Sequence, residues 1–157
     1  MSFEIDRESL LVGVPGAATL ASIEKAIAGH ELTIGVPVTD ETVADWLARG
    51  APGAKCSFAD PADHLVAGLT GTLDGGRRVE VRPAPRRSVG PDLVALFVGA
   101  NERFGTIEHV WLRVSPKGAR DVTSPVGDLD LDPPLSDEEA RLVDAIAAEL
   151  GREGRAV

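Results

Sequence analysis

The side chains of this 157-residue chain best able to do chemistry are three histidines, one cysteine and scattered serines and carboxylates, and their spacing decides what they can do. His30, His64 and His109 stand singly, without the i, i+4 or carboxylate spacing of a metal site. His64 follows Asp63 at a strand start and His109 lies in an alternating run, so each reads as structural. Ser57 and Ser88 sit in loops without a nucleophile elbow. Cys56 is the sole cysteine, which excludes an intrachain disulfide and a thiolate zinc site. Lys55 beside it could lower the thiol pKa, but the ordinary role of a lone cysteine is that of a small buried hydrophobe. Asp128, Asp130 and Asp132 alternate like a calcium loop, yet the glycine and the twelfth-position glutamate of such a loop are missing. No catalytic residue and no metal-ligand set is assigned.

What remains is backbone chemistry. The stretch Gly90 to Val114, GPDLVALFVGANERFGTIEHVWLRV, runs from a Pro-started amphipathic segment through a glycine-bounded turn into an alternating apolar run. It predicts a helix, a tight loop and a strand. Gly90, Gly99 and Gly105 mark places where the backbone can turn with positive φ or approach a ligand without a side chain between.

The elements that must position this stretch are legible in order. SLLVGV, from Ser9 to Val14, is a short strand entering the Pro15-Gly16 turn. Thr19 can cap a helix that places Leu20, Ile23 and Ile27 on one face and closes at Gly29. Glu31 to Val38 reads as a second strand-like piece, with Pro37 placing it at an edge or bend. Thr42 to Gly53 predicts one or two helical turns ending at Gly50. Two alternating runs, His64 to Leu73 and Arg77 to Arg82, flank Asp74-Gly75-Gly76 and predict a β-hairpin. A Pro-rich loop follows, with Pro91 at a helix N1 position.

Residues 117–135 are too rich in Pro, Gly and Asp to build a core and read as a linker. Ser136 then opens a last helix through an S-x-x-E capping box with Glu139, and Leu142, Val143, Ile146 and Leu150 form one stripe. Packing of this stripe on the domain is favoured over docking to a partner. The expected organisation is a subdomain over 1–116, a linker over 117–135 and a C-terminal amphipathic helix over 136–157.

Composition bounds the partners. A net charge of −9 and a pI near 4.8 argue against nucleic acid or an anionic membrane, which need concentrated Lys and Arg. Arg77, Arg78, Arg82, Arg86 and Arg87 cluster locally; a solvated hairpin face is the ordinary reading, and a docking site for a phosphate or an acidic partner the sharper one. The N-terminus is too charged for a signal peptide, and no apolar run reaches the roughly 20 residues of a membrane helix. A cytoplasmic setting is expected.

The order of these motifs resembles the second half of the FAD-binding domain of the FAD-linked oxidases of the vanillyl-alcohol oxidase and p-cresol methylhydroxylase (PCMH) type. In that family a G-x-D-L helix leads into a G-S-E-G-x-x-G-I-I/V-T loop and a strand ending L-R, as Gly90 to Val114 does here. V-P-G-A-A-T-L with the following helix matches the start of the family's second subdomain, and Asp63 to Val81 its hairpin. The resemblance covers about Ser9 to Pro116. It implies an α+β fold, a small mostly antiparallel sheet flanked by helices, with FAD as the cofactor. It places Thr42, Gly53, Gly99, Gly105 and Ile107 nearest that cofactor, with the peptide around Ile107 pairing with it.

The sequence departs from the family at several of these positions. Ala44 and Asp45 stand where the family has paired glycines; Asp45 either repels a diphosphate or points to solvent on a short helix. Asn101 replaces the usual Glu, Thr106 an Ile, and Arg103 a small hydroxyl residue. The family's Gly-rich phosphate loop, which belongs to its first subdomain, has no counterpart in this sequence. The implied function is a truncated flavin module without activity alone, completing a site with a partner chain. The alternative is a non-catalytic interaction or scaffold protein that has lost FAD and associates, with itself or another chain, through an exposed sheet face or the C-terminal helix.

Overall fold

The computed structural model describes residues 3–54, 65–83, 93–118 and 136–153. Its centre is an antiparallel five-stranded sheet. The strands are β1 (Glu4–Asp6), β2 (Leu11–Pro15), β4 (Val66–Leu73), β5 (Arg78–Val81) and β6 (Gly105–Arg113), in the order β1-β2-β6-β4-β5. Two very short strands, β3 (Leu32–Thr33) and β7 (Ser115–Pro116), pair separately. Helices α1 (Leu20–Ala28), α2 (Val43–Ala48) and α3 (Asp137–Glu153) complete an α+β architecture, as the sequence predicts.

Alternation along β6 and β4 sends Val110, Leu112, Leu69 and Leu73 to one face, where they join Val12 and Val14 of β2 in the core. Leu20, Ile23 and Ile27 of α1 and Val43, Trp46 and Leu47 of α2 belong to the same cluster. Cluster membership explains how a six-residue helix such as α2 persists, since an isolated helix this short is unstable in water. Trp46 is only 2% exposed and its Nε1 donates to the Pro52 carbonyl at 3.0 Å, which fastens the loop after α2.

The predicted hairpin is β4–β5, closed by Gly76 at φ +79° with its amide on the Leu73 carbonyl at 2.7 Å. Thr19 caps α1 by accepting from the Ser22 amide at 3.2 Å, and the Ser136–Glu139 box caps α3 in both directions.

Gly29 ends α1 as expected, with right-handed dihedrals (φ −65°), and a left-handed residue follows at Glu31 (φ +58°). Two expectations change. Only Leu32–Thr33 of the piece predicted over Glu31 to Val38 is strand, because Gly35 turns with φ +72° and the Ile34 amide bonds the Glu24 carboxylate instead of a neighbouring strand. Within 93–98, where a helix is predicted, there is only one 3₁₀ turn, Leu93–Leu96, stopped where Gly99 adopts φ +74°. The remainder of that segment, with Gly90 and Pro91, lies outside the described residues, as do Cys56, His64, Arg86, Arg87, Asp128, Asp130 and Asp132.

The stripe on α3 divides. Leu150 packs against the core, while Leu142 and Ile146 are 61% and 38% exposed. No helix among the described residues is long and apolar enough to cross a membrane.

Candidate functional site

Helix α2 is the element around which Thr42, Ile107 and Gly99, three of the five residues singled out by resemblance, are arranged. Thr42 is its N-cap: the Oγ1 accepts from the Asp45 amide at 3.2 Å and donates to Asp45 Oδ2 at 2.6 Å. At the same end the Val43 amide donates to the Ala18 carbonyl at 2.8 Å and the Ala44 amide to the Gly16 carbonyl at 3.0 Å. Gly16 in turn donates to the Glu108 carbonyl at 2.7 Å. It lies so close to β6 that a Cβ there would sit 2.3 Å from the Ile107 carbonyl oxygen. Ile107, Gly16 and the start of α2 are thus brought together, with Thr42 one residue beyond.

A β-bulge makes this possible. Thr70 pairs with His109 and Gly71 with Ile107, so Glu108 is the extra residue on β6. Its carboxylate accepts from Thr72 Oγ1 at 2.6 Å.

The other end of α2 holds the loop at Gly99. The Gly99 amide donates to the Leu47 carbonyl at 3.0 Å and the Asn101 amide to the Ala48 carbonyl at 2.9 Å, so the loop caps the helix C-terminus. Asn101 and Glu102 both have positive φ, +49° and +58°. A Cβ on Gly99 would touch only the Gly50 Cα at 3.8 Å, which leaves this glycine an open outer side.

Gly53 and Gly105 are placed differently. A Cβ on Gly53 would lie 2.8 Å from the Pro37 ring, and one on Gly105 would lie 2.3 Å from the Thr72 carbonyl oxygen. Contacts within the chain therefore already account for these two glycines. Gly16 is the hub of the site that residue types alone do not single out; its signal is the glycine of the V-P-G-A turn, which resembles the family's motif without marking that residue as a contact.

A fit test for FAD divides along α2. The face at Gly99 is open. The first turn is closed to a diphosphate, because the Val43, Ala44 and Asp45 amides are all spent on oxygens of this chain. Asp45 is exposed, as one of its two readings from sequence had it, and puts a carboxylate in the turn where an anion would bind. The neighbouring cation, Arg49, is engaged by Glu41 through Nε at 2.9 Å and Nη2 at 2.6 Å. Among the described residues no group of three His, Cys, Asp or Glu side chains could hold a metal ion.

Comparison with known proteins gives a likeness of fold. No family model and no curated protein matches the sequence. The structure is similar to alkyldihydroxyacetonephosphate synthase solved in two crystal forms, with a TM-score of 0.59 and 17% identity in each. The match takes in 72% of this chain but only 20% and 21% of those chains. The chain thus spans about a fifth of the length of the proteins it resembles, and shares with them the arrangement of sheet and helices.

Proposed function

We propose that this chain is a flavin-domain-like module of the FAD-linked oxidase type that forms one wall of a flavin site and needs a second polypeptide to complete it. One observation carries the reading: the motif order resembling that family falls on a fold shared with alkyldihydroxyacetonephosphate synthase, and α2 gathers Thr42, Ile107 and Gly99 around itself. Among the described residues the wall offers backbone and small side chains but no acid, base or nucleophile in a catalytic arrangement, which supports a module that depends on its partner for any activity. FAD titrated into the purified protein, followed by visible absorbance and thermal unfolding, tests this. The expected result is a weak shift and no flavin retained through gel filtration. Equimolar flavin retained by the chain alone would show that no second chain is needed.

A second reading, a scaffold that has lost FAD, is supported by the closed first turn of α2 and by Leu142 and Ile146, which leave part of the α3 stripe uncovered. No thermal shift at high FAD, together with a dimeric mass in solution, favours this reading. A strict monomer rejects self-association as its means.

A further inference from the structure

The starts of α1 and α2 are bound to each other rather than left open. Thr19 and Thr42, the two N-caps, face each other across an isolated antiparallel bridge. The first two amides of α1, on Leu20 and Ala21, donate to the Glu41 carbonyl at 3.0 Å and the Thr39 carbonyl at 2.9 Å. The first two of α2, on Val43 and Ala44, donate back to Ala18 and Gly16 at 2.8 and 3.0 Å. The third amide of each helix goes to its own cap: Ser22 to Thr19 Oγ1 and Asp45 to Thr42 Oγ1, both at 3.2 Å.

Helix starts can bind phosphate because these amides lack intrahelical partners. Here all three in each first turn are satisfied, and using one for a ligand would break a bond to a carbonyl of the brace or to a cap hydroxyl. Gly16 cannot move toward β6 to make room, since the Ile107 carbonyl lies against it. Asp45 adds a negative charge that disfavours a second anion.

We infer that the two helix starts form a sealed reciprocal brace that excludes phosphate, so the diphosphate of any dinucleotide bound along this face is held by groups outside them. The inference rests on the hydrogen bonds themselves and stands apart from whether a flavin binds. Residue-resolved amide exchange, with inorganic pyrophosphate and ADP as probes, tests it on the whole chain. Leu20, Ala21, Val43 and Ala44 should exchange slowly, as core amides do, and their signals should show no saturable shift with either probe. Exchange at the rate of a frayed helix end, or a saturable shift at residues 20–22 or 43–45, overturns it. Asp45→Asn removes the charge and keeps the shape. If the amides are sealed this variant gains no pyrophosphate binding; a gain would show that charge alone had kept the anion out. FAD can still bind elsewhere on the surface, which pyrophosphate shifts distinguish from binding at the brace.

Discussion

Replacing Gly16 by alanine tests whether one small residue holds the strand, the short helix and the bulge together. Its new Cβ would lie 2.3 Å from the Ile107 carbonyl oxygen, 3.1 Å from the carbonyl carbon and 3.3 Å from the Ala44 Cβ. The first distance is about 1 Å too short for a nonbonded carbon and oxygen, and backbone fixes the position of both atoms, so no rotamer relieves it. Separating them strains the 2.7 Å bond from Gly16 to Glu108 and the 3.0 Å bond from Ala44 to Gly16. Overpacking costs about 1–3 kcal/mol, and each weakened hydrogen bond about 0.5–1.5 kcal/mol at most. A loss of about 2–4 kcal/mol follows, which for a chain of this size lowers Tm by roughly 6–12 °C. Gly29→Ala is the control. Gly29 has right-handed dihedrals and open space around it, so the alanine should stabilise by about 0.4–1 kcal/mol through the unfolded state. Urea denaturation of the three proteins with equal m-values measures both differences. Gly16→Ala within about 0.5 kcal/mol of the parent would refute the proposed hub, since that is the range of neutral surface changes.

Two further outcomes are expected. Glu102→Gly should stabilise by about 0.5–1 kcal/mol, because a left-handed φ of +58° is costly for a residue with a Cβ. The same change at neighbouring Ala100, which lacks positive φ, should destabilise, and equal effects at both sites would remove the conformational explanation. On α3, the Ser136 hydroxyl and then the Ser136 amide hold the Glu139 carboxyl below its ordinary pKa. A lowered folded value means that the cap contributes fully above the ordinary carboxylate range and is lost as pH falls through the lowered value. Far-ultraviolet circular dichroism should therefore show helix lost as pH falls below the ordinary carboxylate range in the parent, with a smaller change in Glu139→Gln. Identical acid profiles would dismiss the box as the source.

The elements came through in the sequence where a local rule and the tertiary context agree. Thr19 and Ser136 each cap the helix they precede, and the Asp74-Gly75-Gly76 turn joins the two alternating runs as expected. Where context overrode pattern, the expectation failed. Glu31 to Val38 has the apolar content of a strand, but Glu24 on α1 takes the Ile34 amide and Gly35 turns the chain away. Leu93 to Val98 has helical periodicity, yet only one turn forms before Gly99, whose amide is drawn to the end of α2.

The candidate site was less legible for a different reason. Motif order singles out Thr42, Ile107 and Gly99, and in the structure Gly16 and Ile107 adjoin the start of α2 while the Gly99 amide reaches its end. Which backbone amides remain available is a separate matter, decided by carbonyls more than twenty residues away. The groups that seal Val43 and Ala44 belong to Ala18 and Gly16, and a carbonyl has no signature in residue type. Asp45 was visible as an anion in place of a glycine, but its role as the partner of the Thr42 hydroxyl depends on α2 forming at all. A glycine that a ligand needs and a glycine that a neighbouring strand needs look alike in sequence. Gly105 and Gly53 answer to Thr72 and Pro37, whereas Gly99 alone among the predicted glycines that the structure describes keeps an open side, and so it is the position among them where contact with a ligand would cost the fold least.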